Sequence, residues 1–124
     1  MNKILIIDDE AGFTRLMKLT LQQTGEYEVY EENDGALAWE AARRVRPDLI
    51  LLDIVMPKVD GGDAAARIRK DAELAHIPII FLSAIVSKTE VPGGLIGGFP
   101  FLAKPVSLDD LIQCIRENLI SPQP

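Results

Sequence analysis

The sequence predicts an α/β domain, a parallel sheet of five strands covered by helices. Two observations predict it. Four short segments are continuously apolar: Ile4–Ile7, Leu49–Leu52, Ile77–Leu82 ("IPIIFL") and, more weakly, Phe99–Ala103. Runs of this kind suit strands buried on both faces. Segments of helical periodicity lie between them, and strands alternating with helices build right-handed βαβ units. The 124 residues make one domain, long enough to bury roughly two thirds of the unfolded surface.

The elements follow in order. Behind the first strand, Phe13, Leu16, Met17, Thr20 and Leu21 keep the i, i+3, i+4, i+7, i+8 spacing of an amphipathic helix, and Gly25 stands where a glycine stops it. Tyr27–Glu31 ("YEVYE") alternates apolar and polar, as a more exposed second strand does. An alanine-rich helix runs from Ala36 to Val45 and ends before Pro47. After the third strand, a "PKVDGG" turn places Asp60 and Asp63 as turn and cap residues of a third helix, Asp60–Ala72, on a thin stripe of Ala65, Ile68 and Ala72. The last helix, Leu108–Leu119, is apolar at Leu108, Leu111, Ile112, Ile115 and Leu119, with Ser107 as its N-cap.

Only the fourth crossover lacks a helical pattern. Glycine costs about 1 kcal/mol in a helix interior and proline about 3. Pro92, Gly93, Gly94, Gly97 and Gly98 therefore predict one short turn near Ser87–Val91 or an irregular loop. Low local stability there suits an order–disorder switch.

Composition narrows the function. The chain is 48% hydrophobic, 26% charged and 6% aromatic, ordinary for a globular domain. It has no apolar run of about 18 residues and no apolar leader, so no membrane partner is expected. A single cysteine, Cys114, excludes an internal disulfide and fits a reducing compartment, so the expected setting is the cytoplasm. A net charge of −6 argues against direct nucleic-acid binding. Residues 1–120 form the domain and 121–124 read as a flexible tail. No effector segment follows, so the chain reads as either a stand-alone regulator or a piece of a larger protein.

Two strands end in carboxylates, Asp8-Asp9-Glu10 after the first and Asp53 after the third. In an open α/β sheet, ligands bind beyond the carboxyl ends of the strands, where strand order reverses. For the order 2-1-3-4-5, that point lies between the first and third strands, and Asp8, Asp9 and Asp53 converge there. Three carboxylates in a partly buried site repel one another. A hard divalent cation such as Mg²⁺ relieves this. The plainer reading is that Asp8, Asp9 and Glu10 only serve the positive end of the first helix. The fourth strand ends in Ser83-Ala84 and the fifth in Lys104-Pro105. Acid, hydroxyl and amine around one cation complement a phosphoryl group, with Asp53 as the attacking carboxylate.

The motifs "ILIIDDE", "PDLILLDIVMPKVDG", "IPIIFLSA" and "FLAKP" resemble the receiver (response-regulator) domain of bacterial two-component systems, over about residues 3 to 119. The resemblance implies a flavodoxin-like doubly wound fold of order 2-1-3-4-5. It implies Asp53 as the phosphoacceptor, charged by a sensor histidine kinase or a phosphotransfer protein. The implied Mg²⁺ ligands (Mn²⁺ as an alternative) are Asp9 directly, Asp8 through water, Asp53 and the Val55 carbonyl. Ser83 follows the phosphoryl group, Ala84 leaves room for the donor, and Lys104 contacts the phosphoryl oxygens. Pro105 follows a cis peptide in this family, and Phe101 fills the aromatic switch position. Val55 and Ile85 occupy the two lifetime-tuning positions, and their apolar character predicts slow autodephosphorylation. The implied role is a phosphorelay signalling module, not an enzyme, acting on a downstream protein target. The fourth-crossover helix is expected to be short or replaced by a Gly/Pro-rich loop. That argues against the family's usual dimer through this face, while a homodimer stays open as a partner. Two alternatives remain. One is an aspartate-nucleophile phosphatase, which would want an acid where Val55 stands. The other is a degenerate receiver serving only as an interaction module.

Overall fold

A computed structural model describes residues 1–84, 95–96 and 98–119. The expectations for the fourth crossover, Ile85 among them, and for the 121–124 tail lie outside the described residues.

Alternating strands and helices wind into a central sheet. Strands β1 (Asn2–Ile7), β2 (Tyr27–Glu32), β3 (Leu49–Asp53), β6 (Ile79–Ser83) and β8 (Phe99–Ala103) pair in parallel in the order β2-β1-β3-β6-β8. This is the predicted 2-1-3-4-5 order. Two short hairpins add to the five expected strands. A two-residue strand, β7 (Leu95–Ile96), pairs antiparallel with the start of β8. Strands β4 (Val55–Met56) and β5 (Val59–Asp60) fold back on each other beyond β3, with Lys58 at φ 65° in the turn.

Helices α1 (Ala11–Gln22) and α4 (Leu108–Asn118) cover one face, and α2 (Ala38–Val45) and α3 (Gly61–Lys70) cover the other. Each continuously apolar strand therefore feeds two cores. Leu5, Ile7, Ile50, Leu52, Ile79, Phe81 and Phe101 pack on α2 and α3. Ile4, Ile6, Leu49, Leu51, Ile80, Leu82 and Leu102 pack on α1 and α4. The two-residue alternation of a strand sends neighbouring side chains to opposite layers.

Several local expectations need adjustment. Leu16 belongs to the helical spacing of α1 but is 57% exposed, and Thr14 is buried in its place. Thr14 turns inward because its hydroxyl hydrogen-bonds to Glu31 Oε1 at 2.8 Å on β2. The second helix opens as a 3₁₀ turn, Gly35–Leu37, capped by Asp34, and ends at Arg46, whose φ of 52° turns the chain toward Pro47. Helix α3 stops at Lys70, short of Ala72, because Asp71 leaves helical geometry while its carboxylate accepts from Trp39 and Arg43. Ser107 caps α4, accepting from the Asp110 N–H at 3.1 Å.

Candidate functional site

The carboxyl ends of β1, β3, β6 and β8 lie side by side, and each delivers a polar residue to the same crevice. Carboxylate oxygens of Asp8, Asp9 and Asp53 lie within 4.8 Å of one another. Asp8 is fully buried and Asp53 is 5% exposed, whereas Asp9 faces solvent. The backbone arranges this. Asp8 follows β1, and its Oδ1 accepts the Glu10 N–H at 2.9 Å, turning the chain into α1. Asp53 ends β3, and its Oδ1 accepts the Val55 N–H at 3.2 Å. Gly61 then lets α3 begin directly over that strand end. Its N–H donates to the Ile54 carbonyl at 2.9 Å, and a Cβ there would run into the Asp53 carbonyl oxygen and Ile54 Cα.

Lys104 reaches the acids from β8. Its Nζ donates to Asp8 Oδ2 at 2.6 Å and to Glu10 Oε1 at 3.1 Å, and lies 3.8 Å from Asp53 Oδ2. Burial opposes its charge, but the hydrogen bonds to Asp8 and Glu10 outweigh that and raise its pKa. At Asp53 the shift instead disfavours the charged form. Burial first, then the Asp8 charge, pushes its pKa up to about 6, against the opposing pull of the Val55 N–H and Lys104. The cluster thus holds more negative charge than its one ammonium offsets. Its donors are hard carboxylate oxygens in a partly buried crevice, a set that fits Mg²⁺ or Mn²⁺.

Ser83 is fully buried at the end of β6, pairs in register with Ala103, and its carbonyl accepts the Lys104 N–H at 2.7 Å. Ala84 is exposed just beyond it. The Lys104–Pro105 peptide is cis. Phe101 is 3% exposed, in register with Phe81 on the α2/α3 side of the sheet. The structure therefore gathers Asp8, Asp9, Asp53, Ser83, Ala84 and Lys104 at one end of the sheet and places Phe101 in the core beneath them.

Three residues at the site carried no such assignment in the sequence. Glu10 reads as an acid for the helix end but caps nothing with its side chain and pairs with Lys104. Phe13 reads as core, yet its ring centroid lies 4.5 Å from Lys104 Nζ. Asn33 donates from Nδ2 to the Asp8 carbonyl at 2.8 Å and to Thr14 Oγ1 at 3.0 Å, tying the first strand end to α1 and β2. Only the adjacency of Glu10 to Asp8-Asp9 hinted at its place. Nothing in a linear reading brings Asn33 to a carbonyl 25 positions away.

A family model described as the response regulator receiver domain matches residues 4–116. The DNA-binding dual master transcriptional regulator RpaA of Synechocystis is 34% identical over 120 residues, covering 96% of this chain and 49% of the relative. The chain spans about half the length of the curated relatives it matches. Among solved structures, chemotaxis protein CheY4 of Vibrio cholerae superposes with a TM-score of 0.83 at 28% identity, covering 96% of this chain and 99% of that one. The receiver domain of sensor histidine kinase PA1611 from Pseudomonas aeruginosa, solved with a magnesium ion in its active-site cleft, matches at a TM-score of 0.80 and 30% identity, over 94% and 95% of the two chains.

Proposed function

Because the chain belongs to the response regulator receiver domain family, we propose that it accepts a phosphoryl group on Asp53 from a histidine kinase or phosphotransfer protein and passes the signal on by a change of conformation. The observation that carries this reading is the Asp53 carboxylate at the end of β3, with Lys104 Nζ 3.8 Å away and Asp8 and Asp9 alongside.

In the transfer, an Asp53 carboxylate oxygen attacks phosphorus, the bond from phosphorus to the donor histidine nitrogen breaks, and an acyl phosphate remains on Asp53. Asp8, Asp9, Asp53 and the Val55 carbonyl would hold Mg²⁺, or Mn²⁺ in its stead. The bound ion supplies positive charge against the oxygens of the transferring group. Lys104 would offset the remaining phosphoryl charge, and the Ser83 hydroxyl would complete the donors. Ala84, exposed and small, leaves the approach to Asp53 open. Phe101, in register with Phe81 and two positions below Ala103, connects the strand carrying Lys104 to the core, so a shift at Lys104 would reach it.

The protein is then a signalling module in the cytoplasm, not a turnover enzyme, since the second position after Asp53 is Val55 rather than an acid able to release phosphate. Incubation with acetyl phosphate and Mg²⁺ tests this. A lasting label on Asp53 is expected. Catalytic release of phosphate would point to a phosphatase, and no label at all to an interaction module.

A further inference from the structure

We propose that Glu10 is a positioning residue that restrains Lys104 in the resting protein and so slows phosphoryl uptake at Asp53, an inference that rests on the receiver reading above. An ammonium has three N–H donors. In this structure two are committed, to Asp8 Oδ2 at 2.6 Å and to Glu10 Oε1 at 3.1 Å. The phosphoacceptor oxygen, 3.8 Å away, lies beyond hydrogen-bond range. The Phe13 ring, 4.5 Å from Nζ, covers another side of the same ammonium. Lys104 is therefore docked toward the first strand end rather than over Asp53.

Asp8 and Glu10 hold it differently. Asp8 is fully buried and belongs to the acid cluster itself. The Glu10 side chain is 65% exposed and lies outside that cluster. Its backbone is pinned, with the N–H on Asp8 Oδ1, at the N-cap position of α1. A carboxylate there could accept from the free N–H groups of the first helical turn, yet this one makes no capping bond and reaches instead to a residue 94 positions away. When Lys104 turns to a phosphoryl group on Asp53, Glu10 loses its ion partner. The contact thus favours the resting state over the phosphorylated one, and the difference in contact free energy sets the size of the effect.

The experiment compares Glu10→Gln with the wild type in a two-by-two cycle with Lys104→Gln. It measures beryllofluoride affinity in saturating Mg²⁺ and labelling rates with acetyl phosphate and with phosphoramidate. An exposed charged arm of this kind sets the expectation at about threefold tighter beryllofluoride binding and faster labelling for Glu10→Gln, and no gain in the Lys104→Gln background. If Glu10 instead only repels anions, the gain persists without Lys104 and favours acetyl phosphate, the more highly charged donor; either result overturns the proposal. If Lys104→Gln binds no beryllofluoride, equal acceleration with both donors supports it and acceleration confined to acetyl phosphate overturns it. Unchanged affinity and rate in Glu10→Gln overturn it as well. A wild-type chain that takes up neither beryllofluoride nor label overturns the receiver reading and this inference together, whereas normal wild-type uptake with an inert Glu10→Gln overturns the inference alone.

Discussion

Removing the charge of Asp53 should stabilise the protein when no metal is bound. The folded carboxyl has a pKa of about 6 against an ordinary 3.8, chiefly through burial and the Asp8 charge. At 1.36 kcal/mol per pKa unit that rise converts to about 3 kcal/mol as a ceiling. Solvent at the open mouth of the crevice screens part of it, leaving roughly 1–2 kcal/mol. The sign follows from proton binding. Below pH 3.8 both folded and unfolded states hold the proton, so the charge does no harm. As pH rises toward 6 the unfolded chain releases its proton first, and wild-type stability falls; above about pH 6 the whole penalty is present. Asp53→Asn keeps an oxygen for the Val55 N–H but cannot ionise. Its advantage should open from near zero at pH 4 to ~1–2 kcal/mol at pH 7.5. In urea followed by far-UV circular dichroism, with EDTA present, that is a midpoint about 1 M higher at pH 7.5. An Asp53→Asn chain no more stable than wild type at pH 7.5, or a gain that stays constant from pH 4 to 8, would refute the electrostatic argument.

Other expectations follow from the same crevice. Mg²⁺ at ten times its dissociation constant should stabilise the wild type by about 1.4 kcal/mol, reversibly with EDTA; Asp9→Asn should lose most of that gain, and an unchanged thermal shift would place the cation elsewhere. Gly61→Ala should cost about 1–3 kcal/mol in urea unfolding, because its methyl group meets the Asp53 carbonyl and Ile54 Cα; a neutral substitution would show that the hairpin yields there. Val55 is 57% exposed with its N–H on the Asp53 carboxylate, and on the proposed reading its apolar side chain would obstruct the water that hydrolyses an acyl phosphate there. Val55→Asn should therefore shorten the lifetime of the label several-fold in a chase experiment, and an equal half-life would count against that role.

Most of the architecture could be read from the chain because it rests on local regularities. Continuous apolar runs identified four of the five parallel strands, since each of these must supply two cores at once, and the apolar–polar alternation of Tyr27–Glu31 identified the more exposed fifth. Asp8, Asp9, Asp53, Ser83 and Lys104 could be named because each stands within two residues of the end of such a run, and strand ends converge in a parallel sheet. Less was visible where geometry, not composition, decided. Leu16 satisfies helical spacing yet faces solvent, because Thr14 has a half-buried partner, Glu31, on β2. The two-residue strands carry too little pattern to announce themselves.

What the sequence by itself determined is the set of reactive groups and the end of the sheet where they meet. What only the tertiary structure decided is how those groups share one ammonium. Lys104 lies closer to Asp8 and Glu10 than to Asp53, beside the Phe13 ring, with Asn33 bracing the Asp8 carbonyl. Such distances depend on the registers of β1 against β3, β3 against β6 and β6 against β8, and on how α1 packs across the sheet, sums of many contacts between residues far apart in the chain. A linear reading can bring charges to one place, but the choice among competing partners there is made by differences of about an ångström.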